Sequence, residues 1–315
     1  MNRNNNLIYT FILLIFLIMM FIYSFFNFIN DTIDNLISKP KSKICVVMWY
    51  DKNISDYADI CYELNKKYCE KNGYDIIKDS TVRLKDKKPH YERIPLIIKI
   101  LHRYDYVIWI DSDAHFYIDS IPIKSFIDKY NDKNFIFSAD QDRSVGESIL
   151  NISKDKINTG VFIVKNTPYS LKILNIWAYD KYLFENRVNK KAWNDQGVLR
   201  LIYQKDIHKI RNNSVVIPYG ILQNFVFNGT KNNEKLENIS MPILTSCNMK
   251  KPFIRHMPGL PTDKRINIMK KYIKDNEHNL DFTKEELYKF YKTKSTESYI
   301  KKKITDFKLT IPKKL

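Results

Sequence analysis

The stretch DYVIWIDSDAHFYID, residues 105–119, decides the fold. Five strand-forming residues, Tyr106 to Ile110, run without a break into two carboxylates, Asp111 and Asp113. A short apolar run bounded by polar residues reads as a strand buried on both faces. Burying an unpaired carboxylate is costly, so the two acids need a cation, a set of donors or exposure at the strand end. In extended chain they point to the same side, because side-chain direction repeats every second residue. Two like charges so close raise one pKa unless a cation sits between them. A hard divalent ion, Mg²⁺ or Mn²⁺, answers that need and keeps places for substrate phosphates. The competing account is a plain exposed turn after the strand.

Strands are expected at residues 43–50, 74–79, 105–110, 134–140 and 157–166, with short ones at 207–210, 215–217 and 252–256. Helical spacing covers 54–70, where Gly73 supplies the stop, and 91–104, with Ile94, Ile97, Ile98 and Leu101 on one face. Further helices are expected at 123–130, 170–184 and 193–203, and beyond Arg265 at 266–273 and 284–291. Alternating strands and helices over some two hundred residues argue for an α/β domain with a mostly parallel central sheet. Ligands of such sheets bind beyond the carboxyl ends of the strands, which is where Asp111 and Asp113 fall. No Gly-x-Gly-x-x-Gly follows the first strand and no P-loop lysine motif occurs, so the two common phosphate cradles are absent.

The chain of 315 residues is 44% hydrophobic and carries a net charge of +17, which favours an anionic partner. About half of that excess lies in residues 264–315, where 15 Lys/Arg face 7 Asp/Glu. No aromatic-interleaved basic motif accompanies it, so a solvated basic extension is expected rather than a nucleic-acid surface. Cys45, Cys61, Cys69 and Cys247 match no zinc spacing and are expected to be mostly free, buried thiols. Residues 7–29 are an uncharged run of 23, long enough to span a bilayer as a helix and longer than the apolar part of a cleaved signal peptide. The expected order is a cytosolic tail (1–6), a signal anchor (7–29), a stem (30–42), the α/β domain (43–265) and a basic helical extension (266–315). That arrangement is a single-pass type II membrane protein facing the Golgi or ER lumen. Sequons at Asn53, Asn151, Asn212, Asn228 and Asn238 fit a lumenal domain, though weakly in so Asn-rich a chain.

YDYVIWIDSDA, NTGVFIVKN, WNDQGVL and RHMPG occur in that order. Together they resemble the galactosyltransferase family of yeast Golgi mannan enzymes and plant xyloglucan xylosyltransferases. The resemblance covers roughly residues 43–265 and implies a GT-A (nucleotide-diphospho-sugar transferase) fold. It also implies a UDP-sugar donor, Mn²⁺, a glycan or glycoprotein acceptor, and retention of the α configuration. By the same resemblance Asp113 holds the ion most directly, Asp111 lies nearer the ribose or a metal-bound water, with Ser112 between them, and His256 is the distant third ligand. Gly259 allows close approach of the diphosphate, and Lys264 and Arg265 are available to neutralise it or simply open the basic extension. Asn158, Thr159 and Gly160 line the sugar pocket. Asp195 is the candidate charge stabiliser or acceptor-orienting base, and Gln196 a donor contact beside the anomeric carbon. Arg93 falls where a basic donor contact is expected. Asp140, with Asp142 competing, is placed for a donor-sugar hydroxyl. Val47 and Trp49, ending the first strand, are expected in the uridine pocket. Alternatives within this chemistry are transfer from GDP-mannose or UDP-glucose, or an inactive glycan-binding relative.

Overall fold

In a computed structural model the structure describes residues 42–118, 120–140, 157–187, 194–217, 219–226, 252–276 and 280, with Met19, Met20, Ile22 and Phe25. Those four are helical and exposed. The rest of the expected anchor, nearly all of the stem, the helix at 284–291 and the basic end lie outside the described residues, as do Asp142 and Cys247. Among the described residues no helix is long and apolar enough to cross a membrane. Contacts divide the chain into two units, Met1–Ser42 and Lys43–Leu315, and the site belongs to the second.

Six strands form the main sheet. They are β1 (Ile44–Trp49), β2 (Asp75–Asp79), β3 (Tyr106–Ile110), β5 (Phe135–Ala139), β6 (Ile157–Lys165) and β7 (Ser214–Ile217), in the order β2-β1-β3-β6-β5-β7. β1 pairs in parallel with β2 and β3, and β5 with β7. β6 runs antiparallel to both β3 and β5. The sheet is therefore mixed, with one reversed strand in an otherwise parallel set. Both faces are covered, which is why the strands read as continuous apolar runs. Ile44, Val46 and Met48 of β1 join one core with helices α1 (Ser55–Asn72), α3 (Ile123–Lys129) and α7 (Thr262–Asp275). Cys45, Val47 and Trp49 join the other, with α2 (Arg93–Leu101), α4 (Pro168–Tyr179), α5 (Lys181–Glu185) and α6 (Asn194–Gln204). Cys45, Cys61 and Cys69 are free and buried.

The reversal of β6 decides where the site forms. In an antiparallel pair the end of one strand lies beside the start of the next. Ile110 is in register with Val161, and the Asp111 N–H donates to the Gly160 carbonyl at 2.8 Å. The Asn158-Thr159-Gly160 segment is thereby laid against the two acids. A parallel β6 would have brought Lys165 there instead.

A second, three-stranded sheet has the order β4-β9-β8, from β4 (Ala114–Phe116), β8 (Gln223–Phe225) and β9 (Ile254–His256). Ala114 is in register with His256, so this small sheet carries the imidazole to the acids. β4 and β8 escape sequence reading because three residues are too few to show an alternation. Two other expectations need correction. The strand expected at 207–210 is a 3-10 turn, Ile207–Lys209, with Asp206, His208 and Lys209 at φ of 49°, 53° and 58°. Left-handed backbone cannot join a ladder. The single helix expected at 170–184 breaks at Asp180, whose extended backbone ends α4 and whose side chain accepts the Leu183 N–H at 2.8 Å to cap α5.

α1 is joined to β4 by Asn65, fully buried. Its Oδ1 accepts the Phe116 N–H at 2.8 Å and its Nδ2 donates to the Ala114 carbonyl at 3.1 Å. An unsatisfied buried polar group costs about 1–3 kcal/mol. Asn65→Leu strips partners from two main-chain groups beside Asp113. It is expected to lower the free energy of unfolding by about 2–4 kcal/mol, checked by urea denaturation of the full-length protein.

Candidate active site

The cleft opens beyond the carboxyl ends of β1 and β3 and has a volume of about 860 Å³. At its floor stand Asp111 and Asp113, and each has one oxygen taken by an arginine. Arg93 Nη2 lies 3.2 Å from Asp111 Oδ1, which also accepts the Trp109 indole N–H at 2.8 Å. Arg265 Nη2 donates to Asp113 Oδ2 at 2.9 Å. The other two oxygens turn toward one imidazole: His256 Nε2 is 3.1 Å from Asp113 Oδ1 and 3.8 Å from Asp111 Oδ2. These three residues offer ligand atoms within 4.8 Å of one another. Burial and then the Asp113 charge push the Asp111 carboxyl above its ordinary value, against the pull of Arg93 and His256. Burial pushes Asp113 the same way, but His256 and Arg265 outweigh it and hold the carboxyl low. His256 is raised, since Asp113 and Asp111 overcome a burial that would lower it. Burial and Asp113 thus hold one acid up, while His256 and Arg265 hold the other down.

Space around the three residues is as specific as charge. A Cβ on Gly160 would stand 2.3 Å from His256 Cε1, 2.9 Å from Asn158 Oδ1 and 3.0 Å from Asp111 Oδ2. Only glycine lets β6 lie this close. Two carboxylate oxygens and an imidazole nitrogen suit a divalent ion such as Mg²⁺ or Mn²⁺. The residues present fit such an ion on both counts.

Asp195 and Gln196 open α6 and are buried against Thr159. The Thr159 N–H donates to Gln196 Oε1 at 2.9 Å, and its hydroxyl lies 3.2 Å from Asp195 Oδ2. Trp177 Nε1 donates to the Asp195 carbonyl at 2.8 Å and pins the start of the helix. Arg93 joins the two halves of the site. Besides Asp111, its Nε lies 3.3 Å from Asp195 Oδ2 and also donates to the His90 carbonyl, while Nη1 donates to the Thr159 carbonyl. Arg93 holds the first position of α2 behind a 3-10 turn, Pro89–Glu92. That turn is fixed by buried Glu92, whose carboxylate accepts the N–H groups of Arg83 and Leu84.

Most of the residues singled out in the sequence line the cleft: Trp49, Arg93, Asp111, Ser112, Asp113, Asp140, Asn158, Thr159, Gly160, Asp195, Gln196, His256 and Gly259. Val47 does not; it is fully buried in the core beneath α2. Lys264 is not among the lining residues, whereas Arg265 is. Gly259 has φ of 69° and nothing within 4 Å of where a Cβ would stand, so its open side faces free space. Asp140 accepts from Arg200 Nη2 at 2.7 Å, so much of its charge is already matched. Arg200 and Gln223 are participants that sequence reading misses. Arg200 leaves a trace, a lone arginine among Val198, Leu199, Leu201 and Ile202 on a buried helix. Gln223, a neutral amide in a three-residue strand, leaves none.

Comparison with known proteins bears on this architecture. A crystal structure of a glycosyltransferase involved in the glycosylation of the major capsid of PBCV-1 matches 73% of this chain and 99% of its own, with a TM-score of 0.53 and 20% identity. That likeness supports a GT-A-like fold. Galactomannan galactosyltransferase 1 of Cyamopsis tetragonoloba is 27% identical over 129 residues, 40% of this chain and 28% of the relative. Xyloglucan 6-xylosyltransferase 4 of Arabidopsis thaliana is 25% identical over 132 residues, 41% of this chain and 25% of the relative. The matched region thus spans about a quarter of the length of these curated relatives. Residues 40–259 match a family as one continuous region, and on that match this chain belongs to the galactosyl transferase GMA12/MNN10 family.

Proposed function

We propose that this protein is a metal-dependent retaining glycosyltransferase that moves a hexose or pentose from a UDP-sugar to a hydroxyl of a glycan acceptor. The observation that carries this is the Asp111–Asp113–His256 cluster at the floor of an open cleft in a chain of this family. When bound there, Mn²⁺ supplies Lewis-acid stabilisation of the departing diphosphate. Asp111, Asp113 and His256 would hold the ion, while Arg93 and Arg265 keep the outer carboxylate oxygens in place. Arg265, on the cleft wall, would add positive charge toward a bound diphosphate.

In the proposed transfer the bond between the anomeric carbon and the phosphate oxygen breaks. The acceptor hydroxyl attacks from the face that the nucleotide leaves, and its proton passes to the departing phosphate oxygen. Positive charge develops on the sugar ring, and Asp195 stabilises it as a fixed anion whose position is set by Thr159, Arg93 and Trp177. Asn158, Asp140 and Gln196 contact the sugar. We further propose that residues 7–29 anchor the domain in a secretory-pathway membrane, facing the lumen.

The test is nucleotide release by the full-length protein from UDP-galactose, UDP-xylose, UDP-glucose and GDP-mannose, with Mn²⁺ and with EDTA. Release from a UDP-sugar that stops with EDTA is expected, and release from GDP-mannose alone, or from no donor, would sink the proposal. Asp113→Asn should lower the rate by about 100-fold or more while the melting temperature stays near that of the wild type. Gly160→Ala drives a methyl group into His256. It is expected to weaken Mn²⁺ binding by about 10-fold or more, read by titration calorimetry, and unchanged affinity would show that the close approach of β6 to His256 is immaterial.

A further inference from the structure

The imidazole of His256 is held from behind as well as from the front. Its Nδ1 lies 2.9 Å from Gln223 Oε1, and the Phe225 ring stands edge-on to it at 5.2 Å. Gln223 and Phe225 project to the same side of β8, which runs parallel to β9 beside His256. Gln223 is fully buried.

The orientation of the Gln223 amide follows from its neighbour. The Gly160 N–H donates to one end of the Asn158 amide at 2.8 Å. A main-chain N–H only donates, so that end of Asn158 is the oxygen. Gln223 meets the same oxygen at 2.9 Å and must present its nitrogen there. Its oxygen therefore faces the imidazole, and an amide oxygen only accepts. His256 Nδ1 carries a proton, and in the neutral ring Nε2 offers its lone pair to the gap between Asp111 and Asp113. Asn158 Nδ2 in turn points at Asp140 Oδ1, 3.4 Å away. Every donor from His256 through Gln223 and Asn158 to the Asp140 carboxylate runs in one direction, the arrangement in which successive hydrogen bonds polarise one another.

We propose that Gln223 is a positioning residue that fixes His256 in the Nδ1–H tautomer and aims Nε2 at a divalent cation shared with Asp111 and Asp113. This rests on the metal-dependent reading above and deepens it. The two-amide relay takes the place that a carboxylate often occupies behind a metal-binding histidine. It ends on Asp140, so the relay links the metal site to the sugar pocket.

Mn²⁺ binding to the full-length protein in the presence of UDP, followed by electron paramagnetic resonance, tests the relay. Gln223→Leu keeps the volume and removes the acceptor, and the Mn²⁺ Kd is expected to rise about 10–100-fold. Gln223→Glu keeps an acceptor against Nδ1 but sets a carboxylate oxygen against Asn158 Oδ1. It should melt at a lower temperature than the wild type and yet bind Mn²⁺ about 10-fold more tightly than Gln223→Leu. Equal losses in the two variants, or wild-type affinity in Gln223→Leu, would overturn the relay while leaving the metal site intact. Failure of the wild type to bind Mn²⁺ would overturn the metal site and the relay together. Long-range ¹H–¹⁵N spectra of the wild type with Mg²⁺ and UDP need no variant. A proton on His256 Nδ1 is expected, and one on Nε2 would refute the inference.

Discussion

Two carboxylate oxygens and an imidazole nitrogen turned on one another need positive charge between them, and the local architecture is arranged around that need. The two arginines could have filled the gap but are placed outside it. Arg93 takes the outer oxygen of Asp111 and Arg265 the outer oxygen of Asp113. Each is held by main-chain carbonyls and lies over an aromatic ring, Arg93 over Trp109 and Arg265 over Tyr57. Guanidinium groups anchored in this way steady the acids without occupying the space between them. That division of labour keeps like charges together in a folded chain and leaves the inner oxygens available to a ligand.

The acids would be of little use without the reversed strand. β1, β3 and their helices make an ordinary parallel α/β layer whose ligand-binding edge is the carboxyl end. β6 enters that layer backwards and delivers its first residues to the same edge. Gly160 is the condition for this approach. With any side chain there, His256 would have to move, and the imidazole would lose either the acids in front or Gln223 behind. The small β4-β9-β8 sheet completes the enclosure, and Asn65 ties its first strand to α1. Three distant segments, 111–114, 158–160 and 254–256, meet because strand ends meet.

Long apolar runs made the strands and helices around this edge legible, and carboxylates at the ends of such runs marked Asp111, Asp113 and Asp140, whereas Asn158 and Asp195 were marked by the family resemblance of INTG and WNDQ. Direction was not legible. An apolar run buried on both faces looks the same whichever way it crosses the sheet, so nothing in INTGVFIVK announces the reversal of β6. Short elements were lost for a related reason: β4 and β8 have three residues each and owe their existence to pairing with β9 rather than to their own pattern. Residues 207–210 look like a strand by composition, yet positive φ at His208 and Lys209 belongs to a turn held by its own main-chain bonds. Val47 was expected in the cleft because it nears the end of β1, but it shares a face with Trp49 and lies one step further back from the strand end, so it is sealed in the core while Trp49, the last residue of β1, reaches the rim.

Asp195 and Gln196 stand side by side at the start of α6, and their bonding separates the roles they can take. Gln196 spends its oxygen on the Thr159 N–H, a bond a main-chain donor will not readily give up. An oxygen so committed is poorly placed to face a developing cation. Asp195 is a buried carboxylate whose backbone and side chain are held from separate directions by Trp177, Thr159 and Arg93. Stabilisation of a transient positive charge is strongest when the opposing charge is already in place and need not reorient. Arg93 adds a constraint, because the same guanidinium touches Asp195 and Asp111. The anion proposed to face the sugar and the acid proposed to hold the ion are thus fixed against a common cation. A displacement of either is felt by the other, which makes the two acids parts of one rigid electrostatic unit.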